Sequence, residues 1–169
     1  GVPQNDTKAL IWFEKAANQN HAAAQYQLGK IHDRSNRVPC AAAQAIQWWE
    51  KASALGNADA QNILALRYDM GFHLTPHYPR DECRAIALRE QAAAQGHPDA
   101  QTLLAETYMH DQPHCNLVAN RDKARALLEQ AIAHGGKHTR EQAERVLYAL
   151  EHNGQYPNPR NPSQRKGTP

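Results

Sequence analysis

Ala22-Ala23-Ala24-Gln25-Tyr26-Gln27-Leu28 is the stretch on which the fold turns, because the chain writes it three times. It returns as Ala58-Asp59-Ala60-Gln61-Asn62-Ile63-Leu64 and again as Pro98-Asp99-Ala100-Gln101-Thr102-Leu103-Leu104. The Ala-Gln pairs start at 24, 60 and 100, spacings of 36 and 40 residues. A second element recurs beside the first: Ala9-Leu10-Ile11-Trp12-Phe13-Glu14-Lys15-Ala16, Ala45-Ile46-Gln47-Trp48-Trp49-Glu50-Lys51-Ala52, then the stretches from Ala85 and from Ala124. Two anchors drifting together mark an internal repeat, and periods of this length belong to stacked supersecondary units. Both elements carry helical spacing. Ala9, Trp12, Phe13 and Ala16 share one face, and so do Ala24, Leu28 and Ile31. The second element of each unit stops at a residue that tolerates positive φ, namely Asn20, Gly56, Gly96 and Gly135 or Gly136.

Composition agrees. The 169 residues include 29 Ala and 15 Gln but only 16 Val, Ile or Thr and 2 Phe, which favours helix over strand. No run of 18 apolar residues is present, so no helix crosses a membrane. Net charge is +2. That is too weak by itself to argue for nucleic acid, which calls for a concentrated basic face. Cys40, Cys83 and Cys115 are odd in number and lack CxxC spacing, so neither a zinc ribbon nor a thioredoxin motif follows. Three reduced thiols is the default. A Cys83–Cys115 bridge stays open, and the compartment, bacterial periplasm or cytoplasm, is undetermined.

The pattern Ala-Gln-x-x-Leu-Gly, a loop, then Lys-Ala-x-x-Trp-x-x-Lys-Ala-Ala resembles the Sel1-like repeat, a variant of the tetratricopeptide helix pair. It is visible at Ala24-Gln25, Leu28-Gly29, Lys8-Ala9, Trp12 and Lys15-Ala16-Ala17. Ala65 and Ala105 depart from the Gly after Leu, and Arg89 stands in the slot of Phe13, Trp49 and Leu128. The resemblance implies an all-α, right-handed α-α solenoid over 1–152, of about four repeats with the first incomplete. Expected helices are 7–18, 22–34, 41–55, 58–70, 83–95, 98–109, 120–134 and a capping 138–152. The Pro-rich 153–169 reads as a disordered tail, having almost no apolar surface to offset its ordering entropy. Helix 7–18 exposes Trp12 and Phe13 at an uncapped end, which suggests a fragment of a longer solenoid or self-association through this helix.

Catalytic signatures are lacking: there is no G-x-S-x-G elbow, P-loop or G-x-G-x-x-G. Glu50, Glu90 and Glu129 recur at one repeat position and read as a solvated face, not as acid and base. His73, His77, His114 and Cys115 have ligand types that suit zinc. Their spacing matches no zinc pattern, so neither metal nor cofactor is expected. In the family this chain resembles, first helices line the concave side. Aligned on Leu28, Leu64 and Leu104, they offer three rows: Tyr26, Asn62 and Thr102; Lys30, Leu66 and Glu106; Asp33, Asp69 and Met109. Arg34 and His110 flank these rows. Exposed apolar anchors among charges suit a protein partner, and the acidic residues argue against nucleic acid. The expected function is a non-enzymatic scaffold or adaptor. The alternatives are an immunity or chaperone-like protein that neutralises a secreted bacterial toxin, or an accessory domain of a larger enzyme.

Overall fold

A computed structural model describes residues 3–34, 39–71 and 80–156, with side chains described over 10–33, 42–71 and 80–156. Among them are eight α-helices and no strand: α1 (Pro3–Asn18), α2 (Ala22–Arg34), α3 (Pro39–Ala54), α4 (Ala58–Met70), α5 (Glu82–Ala94), α6 (Pro98–Tyr108), α7 (Arg121–His134) and α8 (Lys137–Glu151). The repeated stretches thus form alternating first and second helices. Boundaries agree with expectation to within two residues except at the start. There α1 begins at Pro3 and not at Thr7. A proline at the first helical position costs nothing, since the N–H it lacks has no intrahelical partner.

The chain divides into two compact units, Gly1–Gln95 and Gly96–Pro169. In the first, each helix packs on the next, from α1 through α5. Small residues make this stacking close: Ala45, Ala52, Ala60, Ala65 and Ala85 are buried together with Ile46, Trp49, Leu64 and Tyr68. A second cluster holds Ala17, Ala24 and Leu28, against which Leu10, Phe13 and Trp48 pack. In the second unit α7 packs on α6, and α8 packs on both. Its buried residues include Ala100, Leu104, Ala105, Ala124, Leu128, Ala143, Val146 and Leu150.

The repeated glutamine has a structural task. Gln25 is buried, and its Nε2 donates to the Ala17 carbonyl of α1 at 3.0 Å. Gln61 makes the same bond to the Ser53 carbonyl of α3 at 3.4 Å. Gln101 donates to Gln130 of α7 at 2.9 Å. In the first unit each of these carbonyls also accepts from the chain just past its helix, Ala17 O from Asn20 N at 3.0 Å and Ser53 O from Gly56 N at 2.9 Å, so the glutamine adds a second donor that ties the next helix to the stop.

The stops between pairs hold in three places out of four. Asn20, Gly56 and Gly96 have φ of 61°, 83° and 81°. The stop expected at Gly135 or Gly136 is not left-handed, since their φ values are −72° and −64°. Gly135 is required there by crowding, because a Cβ would sit 3.2 Å from Thr139 Cβ and closer still to the Ala131 carbonyl. The carbonyls left over at the end of α7 are taken by Arg140, whose Nε donates to Ile132 O at 3.1 Å. The sulfurs of Cys83 and of Cys115 are those of disulfide cysteines, which corrects the expectation of reduced thiols. The side chain of Cys40 and residues 72–79 and 157–169 lie outside the described residues. His73, His77 and most of the expected disordered tail fall among them.

Candidate functional site

Each first helix is held at its start by the residue before it. Asn57 Oδ1 accepts from Ala60 N at 2.8 Å, and the ring nitrogens of His21 and His97 accept from Ala24 N and Ala100 N at 3.3 and 3.2 Å. These caps satisfy donors that the first turn leaves open. Two of the ten histidines are thereby accounted for as structural groups. The far ends are fixed by a repeated return of the chain. Asp81 N donates to Tyr68 O at 3.0 Å and Asn120 N to Tyr108 O at 2.8 Å. The same two residues then cap α5 and α7 through Arg84 N and Lys123 N, each at 2.9 Å. Arg84 and Lys123 lie over the rings of Tyr68 and Tyr108, at 4.5 and 5.0 Å.

On this frame the expected positions of the first unit are more constrained than a row of free side chains. Tyr26 is half-buried, with the Lys30 ammonium 5.3 Å from its ring centre. Burial, and then the charge of Asp59 on α4, raise the phenol of Tyr26 above its ordinary value. Asp33 on α2 accepts both its bonds from Arg67 Nη2 on α4, each at 2.7 Å. Asp69 is paired with Arg89 on α5. Leu66 is half-buried between these charges in sequence. Tyr26, Lys30, Asp33, Leu66 and Asp69 therefore share two adjacent first helices, with two of the carboxylates locked by arginines.

Other expected positions differ. Asn62 and Thr102 are buried, at 7% and 1% exposure, so they do not form an exposed first row. Thr102 turns its hydroxyl back to the Pro98 carbonyl at 3.0 Å, and a helix residue that far inside has no surface to offer. The side chain of Arg34 lies outside the described residues. In the second unit, Glu106 and Met109 are half-buried and His110 is exposed. His114 is exposed on a short 3-10 turn, Pro113–Cys115, and the bonded sulfur of Cys115 is no thiolate ligand.

Arg67 and Arg89 were not among the expected site residues. Arg89 had a signal, a charge in a slot otherwise filled by Phe13, Trp49 and Leu128. Arg67 had none, since an arginine near the end of a helix reads as ordinary surface.

The Sel1 repeat pattern matches residues 1–21, 22–57, 58–97 and 98–136. This chain belongs to the Sel1 repeat family. The match assigns one short and three full Sel1 repeats, in line with the spacings of 36 and 40 residues. Among solved structures, a Sel1 repeat protein from Oxalobacter formigenes aligns at 24% identity with a TM-score of 0.66, covering 80% of this chain and 96% of that one. A protective antigen of uropathogenic Escherichia coli strains, with the Sel1-like repeat fold, aligns at 26% identity and a TM-score of 0.67. It covers 88% of this chain, which spans only 30% of the antigen. Sel1 repeats are typically a non-catalytic scaffold fold and generally mediate protein–protein interaction.

Proposed function

We propose that this Sel1 repeat chain is a non-enzymatic adaptor that binds a partner protein through the first-helix face of its first unit. The observation that carries this reading is that Tyr26 and Leu66, both half-buried, lie on the same two helices as Asp33 and Asp69, whose carboxylates are held by arginines. Rigid side chains lose little entropy on binding, and a few aromatic or apolar anchors carry most of the energy of a protein interface. Affinity capture from the native host with wild type and with a Tyr26→Ala, Leu66→Ala double variant tests it. The partner is expected to be lost from the double variant, and an unchanged set of captured proteins would dismiss the face.

We further propose that α1 self-associates. Trp12 is 70% exposed and Ile11 46%. The equivalent Trp48 and Leu88 pack on the buried clusters of the repeats before them. A second copy's α1 is a like apolar surface on which Trp12 and Ile11 can pack. Sedimentation equilibrium should show wild type dimerising and Trp12→Ser monomeric, and a monomeric wild type at high concentration rules it out.

A further inference from the structure

The second unit contains a pocket of about 360 Å³ lined by Glu106 of α6, by His138, Glu141, Gln142, Arg145 and Val146 of α8, and by Tyr156. This is at the small end of the range typical of ligand sites, about 300–1,000 Å³. It suits a single long side chain better than a cofactor. The sequence offered only Glu106 of these residues as a candidate.

Tyr156 reaches the pocket because the chain reverses after α8. Asn153 and Gly154 both take positive φ, 52° and 85°. Gly154 N donates back to Ala149 O at 2.7 Å, and Gln155 N to His152 O at 3.1 Å. A left-handed pair of this kind ends a helix and turns the backbone onto its own side. Tyr156 thereby forms one wall, half exposed and facing α6 and α8. Its phenol is raised above the ordinary value first by burial, then by the charge of Glu106, against which Arg145 works in the opposite direction.

The charge inventory of the lining is two carboxylates, Glu106 and Glu141, against one guanidinium, Arg145. Among these three groups the lining carries an excess of one negative charge. An aromatic wall beside an excess of carboxylate is the chemistry that holds a cation. The carboxylates accept charge-assisted hydrogen bonds, and the ring face attracts the charge and covers the alkyl stem.

We infer that this pocket receives a basic side chain, arginine by preference, from a peptide segment of a partner protein. The preference for arginine follows from the planar fork, which stacks on a tyrosine ring while meeting a carboxylate edge-on. Arg145 is then the internal cation that the incoming group competes with. The inference rests on the reading that this chain binds a partner protein, and it supplies the chemistry of one segment that the second unit would bind.

The test is a titration of the full chain with Ac-Gly-Arg-Gly-NH2, followed by backbone amide chemical shifts. Ac-Gly-Cit-Gly-NH2 serves as the neutral isostere. Shifts should concentrate on α6, α8 and residues 153–156, with the citrulline peptide at least about tenfold weaker, as loss of a charge-assisted hydrogen bond implies. Glu106→Gln and Glu141→Gln should each weaken binding, and Tyr156→Ala should weaken it less. Arg145→Gln should tighten it by several-fold, an effect that no merely structural role for Arg145 produces. Equal binding of both peptides, shifts spread beyond α6, α8 and residues 153–156, or weaker binding by Arg145→Gln would each overturn the proposal. The probe reads this pocket without any partner. A negative result here leaves the Tyr26 and Leu66 capture experiment to succeed or fail independently.

Discussion

The pairs α2/α3 and α4/α5 fill the same inner slot with opposite chemistry. In α2/α3 the occupant is Trp49, 1% exposed, whose Nε1 donates to the Tyr26 carbonyl at 3.3 Å. A Cβ at Gly29 would lie closer than 3.0 Å to three atoms of that indole. In α4/α5 the equivalent residues are Arg89, 5% exposed, and Ala65, fully buried. Arg89 needs no such clearance, but it needs a counter-charge, and Asp69 provides one. The departures from the family pattern, Ala for Gly at 65 and Arg for an apolar residue at 89, are thus linked. The glycine is needed where the slot holds a tryptophan. Where the slot holds Leu128, position 105 is again Ala.

The largest expected effects break the first pairing. Trp49→Ala should cost about 3–5 kcal/mol by urea unfolding, the range for deleting a buried aromatic. Gly29→Ala should cost about 1–3 kcal/mol by overpacking. In a Trp49→Leu background, which copies Leu128 and Ala105, Gly29→Ala should be nearly neutral. If the two changes instead add to within about 0.5 kcal/mol, the sites are independent and the pairing is discarded.

The second pairing gives an asymmetric result. Asp69→Ala leaves Arg89 charged and buried and should cost about 3 kcal/mol, the lower end for a broken buried pair. The lower end applies because the Asp69 side chain is 31% exposed, so water softens the loss. Arg89→Leu removes the charge as well as the bond and fills the slot as Leu128 does. It should change stability by no more than about 1 kcal/mol in either direction. Thermal unfolding of the two variants decides this, and a larger loss from Arg89→Leu than from Asp69→Ala contradicts the account.

The smallest effects sharpen the comparison at the helix starts. Asn57 caps α4 at 2.8 Å, while His21 caps α2 at 3.3 Å. Asn57→Ala should cost about 1 kcal/mol. His21→Asn should gain a few tenths of a kcal/mol, because the amide oxygen ranks among the best caps. Chemical denaturation at neutral pH reads both, and a loss on His21→Asn would show that the imidazole does more than cap.

Much of this was legible in the residues. The repeat, the helix pairs and the stops at Asn20, Gly56 and Gly96 follow from local periodicity and from the preference of Gly and Asn for positive φ. The stop after α7 was misread because two adjacent glycines look like a left-handed turn, whereas Gly135 answers to the closeness of Thr139. The burial of the expected positions was legible only in part. Tyr26, Lys30, Asp33, Leu66 and Asp69 lie on first helices as the alignment implied. Asn62 and Thr102 did not keep their place on the surface, because aligning repeats finds equivalent positions but not how deeply each is covered. The locking of Asp33 by Arg67 joins residues 34 apart, and no local pattern announces it. The pocket beside Tyr156 was invisible for the same reason, as it needs α6, α8 and a reversed chain end together.

The sequence by itself determined that this protein is a stack of helix pairs, since alanine at matched helical positions and a fixed stop every 36 to 40 residues admit few other solutions. Only the tertiary structure decided which polar groups are buried, which are paired and which are exposed. Helical periodicity is a property of one segment. Burial, charge pairing and cavity shape arise where segments from different repeats meet, so they depend on contacts that no single segment contains.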